Sequence, residues 1–429
     1  MRKLLNHCYK LLENVKQTHK LWYIFQSFLA YFANMIYLKA PEHQSRQHKV
    51  PGDKGAHKAW NHQSRQHKAS AIYQLLIFMT MKRTILTAMA MALAMAGNIR
   101  AQVPEFVKCE DYYDINQRTE FQIPDIGGFV TLTSDLHIHT VFSDGAVWPS
   151  TRVQEAWNDG LDVIAITDHI EYRPYRNYLN ADLNESYRIA AAAAGSDGVL
   201  VIHGTEITRS KPFGHMNALF IEDAEKLAVE SEMDALEAAL AQDAVIQWNH
   251  PGWPDDLCTM YPLHEKLIAE GKIHLVEVMN YDECYPIAYD WIGKYGIGAA
   301  ANSDIHEPIA MYCKDSHKRP VTLIFAKERS LESVKEALLA RRTLAWFNGN
   351  LAGDASLLRS FVEACLEIKR SGETVTITNK SEIPFRVSAT PEGEAMNMPA
   401  FSTIRMNAAS LTFHNCHCGS TEPLTIPAE

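Results

Sequence analysis

A regular alternation of short, apolar, β-branched segments with longer helical segments runs from residue 129 to about residue 349. Such alternation is typical of strands joined by helical crossovers, and it predicts an α/β fold with a parallel sheet. Repeated seven or eight times, it favours a closed barrel. The predicted strands are Phe129–Leu136, Val163–Thr167, Val199–Ile202, Ala218–Ile221, Ala244–Trp248, Leu275–Met279, Gly298–Ala301 and Val321–Phe325. The predicted helices are Ser150–Asn158, Leu183–Ala194, Glu232–Ala241, Pro262–Ala269, Pro286–Lys294 and Leu331–Ala340.

The pattern changes near residue 350. Phe361–Arg370, Thr374–Asn379 and Phe385–Ala389 alternate apolar and polar residues between turn signals, which is typical of antiparallel strands. We therefore expect a barrel over residues 127–349, preceded by a lead-in at 102–126. A small, all-β, sandwich-like module follows at 350–429.

Residues 81–101 have the layout of a secretory signal peptide. Met81 opens a short basic region, an uncharged stretch follows at 84–96, and small residues allow a cut between Ala101 and Gln102. This predicts export, to the periplasm or outside the cell, and a mature protein without a membrane anchor. Residues 1–80, with the uncharged stretch Leu21–Leu38 and a repeated HQSRQHK heptapeptide, are interpreted as an upstream extension outside the functional protein.

Charge is distributed unevenly within an overall net charge of −10. Residues 1–80 hold 12 Lys and Arg against 3 Asp and Glu, whereas residues 102–429 hold 26 against 48. A body this acidic repels polyanions, so we expect no stable nucleic-acid partner. A phosphate-bearing ligand would need metal ions or local cations. The sequence leaves the oligomeric state open.

Chemistry-bearing side chains fall at the ends of the predicted strands. The first strand runs into His137 and His139, and alternating side chains along a strand put both imidazoles on one face, where they can grip one ion. Asp304 and His306 repeat this spacing after a later strand. The other groups of this kind are Asp144, His169, Glu206, His215 and His250.

Asp168 and His169 are adjacent, so on a strand they face opposite ways. We assign His169 as the ligand and Asp168 as the group that orients it. Any one of these histidines alone would fit a hydrogen-bonded core residue. Nine such groups converging on the mouth of a barrel instead predict a metal centre. Nine nitrogen and oxygen ligands exceed one tetrahedral site, which indicates two to three divalent ions, Mn, Fe or Zn.

Six motifs follow one another in order: DLHIHTVFSDG, AITDHIEYRP, GTEITR, GHMN, WNHPGW and NSDIH. Together they resemble the PHP (polymerase and histidinol phosphatase) family of metal-dependent phosphoesterases, over residues 127–349. The resemblance implies a distorted, TIM-like (β/α)7 barrel holding three metals. The exported setting, the EYRP extension and the C-terminal β module are similar to a secreted branch that hydrolyses small phosphate diesters.

The resemblance also implies how the ligands divide. The first metal would take His137, His139, Glu206 and Asp304. The second would share Glu206 with His215 and His250, and the third would take Asp144, His169 and His306. Metal-activated hydroxide would then attack a small phosphate-ester substrate, with Arg173 and Arg209 placed to hold phosphate oxygens. We take Asp304, Arg173, Arg209 and Asp168 as the catalytic set, with Asp304 or a histidine passing the proton to the leaving group.

Three alternatives stay open at this stage. The first is a phosphomonoesterase of the same family. The second is an amidohydrolase-type barrel cleaving C–N bonds, which also begins with His-x-His but commonly carries a bridging lysine that no predicted strand end supplies here. The third is a non-catalytic metal-binding protein.

Overall fold

The computed structural model describes residues 118–180, 182–195, 198–312 and 319–428, together with helical pieces at 73, 76–80, 82–84 and 86–87. The chain divides into two compact units, Met1–Val107 and Lys108–Glu429. The predicted upstream extension and signal peptide lie largely outside the described residues. Within the described part, no helix is long and apolar enough to span a bilayer.

The larger unit is built on a mixed sheet flanked by helices. Its first strands are β1 (Val130–Asp135), β2 (Val163–Ile166), β3 (Leu200–Thr208), β4 (His215–Leu219), β5 (Val245–Trp248), β6 (Leu275–Asn280), β7 (Glu283–Cys284), β8 (Gly298–Asn302), β9 (Val321–Ala326), β10 (Thr343–Phe347) and β11 (Asn350–Gly353). The helices between them are α1 (Pro149–Asn158), α2 (Glu185–Ala194), α3 (Glu232–Leu240), α4 (Pro262–Ala269), α5 (Pro286–Tyr295), α6 (Ile309–Tyr312) and α7 (Leu331–Leu339), and a 3₁₀ turn covers Ala224–Leu227. All eight strands and all six helices predicted in this region are present.

Strand pairing confirms the α/β class. Strands β1, β2 and β3 are parallel, as are β5, β6 and β8, while β4 runs antiparallel between β3 and β5. On the other side, β9 and β10 extend the sheet as antiparallel neighbours of β1. Strands β2, β5, β6 and β8 are buried along their whole length, as expected for strands covered on both faces.

In the described part of the chain, no strand pairing closes this sheet into the predicted barrel. Among the described residues, β8 pairs with β6 alone. Side chains span the remaining gap to β9 and β1. The Thr322 hydroxyl accepts from the Ala301 amide and donates to the Ala301 carbonyl, both at 2.9 Å, and the Asn302 side-chain oxygen accepts from Leu136 N at 2.8 Å. Hydroxyl and amide groups thus satisfy backbone groups that a ladder would otherwise pair.

The C-terminal part contains a helix where a strand was predicted. Helix α8 (Ala355–Cys365) replaces the first half of the expected strand Phe361–Arg370, so the module is not all-β. Asp354 caps it by accepting from Ser356 N and Leu357 N at 3.0 and 3.1 Å. Its buried residues, spaced three and four apart, form one apolar face: Leu358, Phe361, Val362 and Cys365.

The remaining strands follow this helix. They are β12 (Leu366–Ser371), β13 (Thr374–Asn379), β14 (Phe385–Ser388), β15 (Met396–Met398), β16 (Thr403–Asn407), β17 (Ser410–His417) and β18 (Pro423–Pro427). Strands β12, β13 and β16 form a separate antiparallel sheet. The others join the main sheet, because β11 pairs in parallel with β17 at Leu351 and Cys416. The main sheet therefore runs through the predicted boundary at residue 350.

His203 on β3 makes stability depend on pH. Its ring stacks on Tyr187 at 4.2 Å, and its Nε2 is buried without a hydrogen bond from any described residue. Burial lowers the pKa of His203 from 6.5 to about 4, so the unfolded chain binds the proton more readily. Above pH 6.5 His203 is neutral in both states and does not lower the free energy of unfolding. As the pH falls toward 4, the unfolded chain takes up the proton first and the free energy of unfolding decreases.

His203→Phe keeps the stacked ring but has no group that titrates. As the pH falls from 6.5 to 4, we expect the free energy of unfolding to fall by about 2–3 kcal/mol less in this variant than in the wild type. Urea titrations of both proteins across the pH range measure the difference. Parallel pH curves for the two proteins would contradict the assignment.

Candidate metal centre

The nine side chains predicted as ligands meet at one end of the main sheet. His137 and His139 flank Ile138, which bridges Ile305, so the segment after β1 runs beside the segment after β8. A second bridge joins His169 to Glu206. These pairings bring the strand ends together and aim their side chains at a common volume. The residues whose donor atoms lie within 4.8 Å of one another in overlapping groups are His137, His139, Asp144, His169, Glu206, His215, His250, Asp304 and His306.

One group of donors surrounds a single point. Nε2 of His137 and Nε2 of His139 are 3.1 Å apart, and Oδ1 of Asp304 lies 3.2 and 3.0 Å from them. Glu206 completes the group, with Oε1 3.6 Å from His137 Nε2 and Oε2 3.5 Å from His139 Nε2. Four donors around a tetrahedral zinc at its usual bond length lie about 3.4 Å apart. The group therefore has the spacing of a coordination shell.

Glu206 also belongs to a second group. Its Oε1 lies 3.1 Å from His215 Nδ1 and 3.5 Å from His250 Nε2. A carboxylate that contacts two sets of imidazoles is placed to bridge two ions. This arrangement matches the bridging role implied by the family resemblance.

A third group is centred on Asp144. Its Oδ1 lies 3.2 Å from His306 Nε2, 3.6 Å from His169 Nε2 and 4.0 Å from His139 Nδ1. His139 thus presents one ring nitrogen to each of two groups. The structure adds His139 to the three residues expected here.

The donor set fits divalent metal ions. Imidazole nitrogens and carboxylate oxygens are the donors that Zn, Mn and Fe prefer. Two buried carboxylate oxygens, Asp144 Oδ1 and Glu206 Oε2, accept no hydrogen bond within the described part of the chain. A buried carboxylate oxygen left without a donor is costly, and coordination to a cation removes that cost.

Backbone strain accompanies the site. His250 and Asp304 both adopt positive φ, 22° and 50°, a region that residues with a side chain rarely occupy. Such strain clusters at active sites and ligand-binding positions, where the surrounding structure holds it in place. Here it turns the two side chains back toward the cluster directly after β5 and β8.

Protons and metal ions compete for these donors. Burial opposes protonation of His137, but Asp304, Glu277 and Glu206 together outweigh it and raise the pKa of His137 well above its ordinary value. Glu206 likewise overcomes burial and raises the pKa of His169 to about 9, while burial and the charge of His169 lower the pKa of His139 to about 4. Because a histidine ligand must be neutral, metal affinity should rise with pH toward the pKa of His169.

Glu277 is a buried member of the site that the sequence reading missed. It lies inside β6, and its Oε1 accepts from His137 Nδ1 at 2.9 Å while its Oε2 accepts from His250 N at 2.7 Å. Asn280 and Asn302 also donate to it, each at 2.9 Å. A carboxylate behind a ligating histidine fixes the ring orientation and raises its basicity. The available signal was a single charge in an otherwise apolar strand.

We expect Glu277→Gln to weaken metal binding by about 10–100-fold, because His137 loses its anionic partner. Titration of the apo protein with Zn²⁺ against a chelating dye measures the affinity. Glu373→Gln, on the exposed turn between β12 and β13, is the matched control and should bind as the wild type does. An unchanged affinity in Glu277→Gln would show that the carboxylate does not support the ligand.

Asp168 holds the loop that carries Asp144. Its Oδ1 accepts from Thr140 N and Ser143 Oγ, and its Oδ2 accepts from Thr140 Oγ1, all at 2.7 Å. These bonds orient the loop, and the orienting of His169 by Asp168 stays a prediction. The catalytic role of Asp168 stays a prediction.

The two predicted phosphate-holding arginines make other contacts. Arg173 Nε donates to the Phe142 carbonyl at 3.1 Å. Arg209 forms an ion pair with Glu171 and donates to the carbonyls of Thr208 and Val229 at 3.0 and 2.8 Å. Their phosphate-holding role stays a prediction.

Two grooves open beside the cluster. The first, of about 390 Å³, is called the Lys211 groove; it is lined by His215 and His250 together with Thr208, Arg209, Ser210, Lys211, Gly214, Trp248, Asn249, Pro251, Trp253, Pro254, Asp255, Tyr261 and His264. The second, of about 430 Å³, is called the Glu307 groove; it is lined by His250, Asp304 and His306 together with Gly252, Trp253, Pro254, Asp256, Asn280, Tyr281, Glu283, Tyr285 and Glu307. His250, Trp253 and Pro254 border both grooves, which therefore share a wall.

Comparisons with known proteins agree with this geometry. The PHP domain model matches residues 135–281. An uncharacterized protein of Methanocaldococcus jannaschii is 38% identical over 80 residues, which are 18% of this chain. The match spans only 34% of the length of that relative. A lesion-specific endonuclease of Pyrococcus furiosus is 19% identical, with a TM-score of 0.36 over 49% of this chain and 56% of its own. That likeness is too low for a functional inference, and the absence of a nucleic-acid partner stays a prediction.

A crystal structure from Bacteroides vulgatus is much more similar. It is a two-domain protein containing a predicted PHP-like metal-dependent phosphoesterase, and its TM-score is 0.68 at 35% sequence identity. The alignment covers 72% of this chain and 98% of the other. On that coverage and identity, with the domain match and the clustered histidines and carboxylates, this chain belongs to the PHP family of metal-dependent phosphoesterases.

Proposed function

We propose that this protein is a phosphodiesterase that hydrolyses small phosphate diesters at the nine-residue cluster, with two to three divalent ions bound there. The observation that carries the proposal is the overlap of the donor groups, in which Glu206 contacts both the His137 group and the His215 group. Donors shared in this way would hold several ions close together, as in the two-metal sites of phosphatases and nucleases.

The expected roles of the residues follow from their positions. Bound divalent ions supply Lewis acidity, neutralising phosphate oxygens and lowering the pKa of water. Asp304 is placed to exchange a proton, because it is a cluster carboxylate that also lines the Glu307 groove. Burial opposes its charge, but His137 and His139 hold the pKa of Asp304 well below its ordinary range. Trp253 and Pro254 border the substrate volume on both sides.

The grooves favour a diester over a monoester. A phosphodiester carries two substituents on phosphorus, and both need space when the phosphate lies at the cluster. The Lys211 groove and the Glu307 groove leave the cluster on either side of Trp253, so each can hold one ester arm. A monoesterase would need only one of them.

Hydrolysis of bis(p-nitrophenyl) phosphate by the Mn²⁺-loaded full chain tests the proposal. We expect faster turnover of the diester than of p-nitrophenyl phosphate, and none of p-nitroacetanilide, an amide. A preference for the monoester would identify a phosphomonoesterase, and amide cleavage would identify a C–N hydrolase. Metal binding without turnover of any substrate would indicate a non-catalytic protein.

We also propose that the protein acts outside the cytoplasm, supported by the signal-peptide pattern at residues 81–101. After expression in a Gram-negative host, the periplasmic fraction should contain a chain beginning at Gln102. N-terminal sequencing of the purified protein identifies the first residue. A cytoplasmic protein that retains residues 81–101 would contradict export.

A further inference from the structure

The two grooves differ in charge. The Lys211 groove contains two cations, each held in an ion pair: Arg209 with Glu171, and Lys211 with Asp255. The Glu307 groove contains no lysine or arginine among its described lining residues. It carries three carboxylates besides the cluster residue Asp304, namely Asp256, Glu283 and Glu307. None of the three forms an ion pair with a described residue.

Aromatic faces stand beside these carboxylates. Trp253 is 54% exposed and Tyr281 is 40% exposed, and both line the Glu307 groove. Burial, together with the negative charges of Glu307 and Asp282, raises the pKa of Tyr281. Tyr281 therefore lies in the electrostatic field of these carboxylates.

Glu283 accepts from Tyr285 Oη at 2.6 Å, and the Tyr281 ring packs against Tyr312 at 4.6 Å, so Trp253 is the more open aromatic wall. Exposed aromatic side chains next to carboxylates that form no ion pair with a described residue are the chemistry that recognises an organic cation.

We propose that the Glu307 groove binds the ester arm of the substrate and selects an arm that ends in an ammonium group, quaternary or primary. This inference rests on the proposed phosphodiesterase function, since it assigns a preference to one side of that site. The groove begins at His250, Asp304 and His306, so an arm attached to a phosphate at the cluster enters it directly.

Carboxylates near a phosphate site would otherwise be unfavourable. A phosphate diester is an anion, and Glu307 directly follows the cluster residue His306. Three further negative charges in the adjoining groove repel an anionic arm, give a neutral arm no charge–charge attraction, and stabilise a cationic one. An ammonium group, with Trp253 or Tyr281 against its apolar face, satisfies both the aromatic walls and the carboxylates.

A matched pair of substrates tests the preference. p-Nitrophenyl phosphorylcholine carries a trimethylammonium group, and p-nitrophenyl 3,3-dimethylbutyl phosphate replaces that nitrogen with carbon at the same shape. We expect kcat/KM of the Mn²⁺-loaded full chain to be about tenfold higher for the choline ester. Glu283→Gln/Glu307→Gln should bring this ratio close to one. The control Glu373→Gln/Glu392→Gln removes two exposed carboxylates from the C-terminal part and should keep the wild-type ratio.

A binding measurement separates this inference from the proposed function. Calorimetric titration of phosphorylcholine and 3,3-dimethylbutyl phosphate into the Mn²⁺-loaded protein reports the preference without turnover, and we expect the choline compound to bind more tightly by a similar factor. If bis(p-nitrophenyl) phosphate is hydrolysed but both pairs behave alike, the inference is wrong and the function stands. If nothing is hydrolysed while phosphorylcholine binds preferentially, the function is wrong and the cation subsite stands.

Discussion

Asp304→Asn should reduce turnover of bis(p-nitrophenyl) phosphate by about 10²–10⁴-fold while the protein stays folded. The substitution keeps the shape of the side chain but removes a charge that lies 3.2 and 3.0 Å from the ring nitrogens of His137 and His139. It therefore removes both a candidate metal ligand and one of the groups, Asp304 or a site histidine, predicted to pass a proton to the leaving group. Steady-state kinetics after metal reloading, with circular dichroism of the same sample, measures the effect.

Asp243→Asn is the matched control for this variant. Asp243 also has a positive φ, 56°, and lies on the exposed turn before β5. Asparagine tolerates that conformation as aspartate does, so the control tests the general effect of an Asp-to-Asn change in a left-handed turn. Near-normal turnover by reloaded Asp304→Asn would remove Asp304 from the mechanism.

Arg152→Met should lower the free energy of unfolding by about 3–5 kcal/mol and abolish activity. Arg152 is fully buried on α1, and its guanidinium donates to Glu155 and to the carbonyls of His139, Ile305, His306 and Glu307 at 2.7–3.1 Å. Methionine fills the space of the stem but removes the donors to Glu155 and to the carbonyls of His139 and Glu307. The carbonyls of Ile305 and His306 keep their bonds from His139 N and Ala146 N. The carbonyls that Arg152 contacts belong to the two segments after β1 and β8 that carry candidate ligands. Loss of Arg152 should therefore displace the candidate ligands as well as lower the free energy of unfolding.

Urea denaturation compares this variant with Arg188→Met. Arg188 lies on α2 with about half its side chain exposed and pairs with Asp182, so its loss should cost less than about 1 kcal/mol. Equal stability losses in the two variants would show that Arg152 is not holding the ligand segments together.

Strand-end ligands were predictable because their spacing carries the information. Two histidines at i and i+2 on one strand must share a face, and parallel strands must end at the same edge of the sheet. These two rules brought out His137, His139, Asp304 and His306, although all four lie just past the ends of β1 and β8 and Asp304 has a positive φ. The repeated pattern made the cluster visible although its members are far apart in the sequence.

Residues that support the ligands were harder to predict. Arg152 lies in a helix, where an arginine ordinarily faces solvent, and nothing in its neighbours marks it as buried. Glu277 did carry a signal, since a charge inside an apolar strand requires a partner. The phosphate-holding arginines were chosen by proximity in sequence, which does not determine where a long side chain finds its partners.

Helix α8 shows the limit of reading short segments. Its apolar residues Leu358, Phe361, Val362 and Cys365 have helical spacing, but the strand prediction started at Phe361 and cut that pattern in half. The sequence also did not indicate that, within the residues that the structure describes, the main sheet lacks strand pairing between β8 and its neighbours β9 and β1. No pattern indicates that the Thr322 hydroxyl will take the place of a strand ladder beside β8.

The metal content of the purified protein tests the central claim most directly. Elemental analysis of the native chain, combined with chelation and re-addition of Mn²⁺, should show two to three divalent ions per chain and phosphodiesterase activity that is lost and regained with them. His169→Ala/His215→Ala, which removes donors from two groups, should bind fewer ions. Full activity in a protein stripped of its ions, or less than one ion per chain in a fully active sample, would contradict the account.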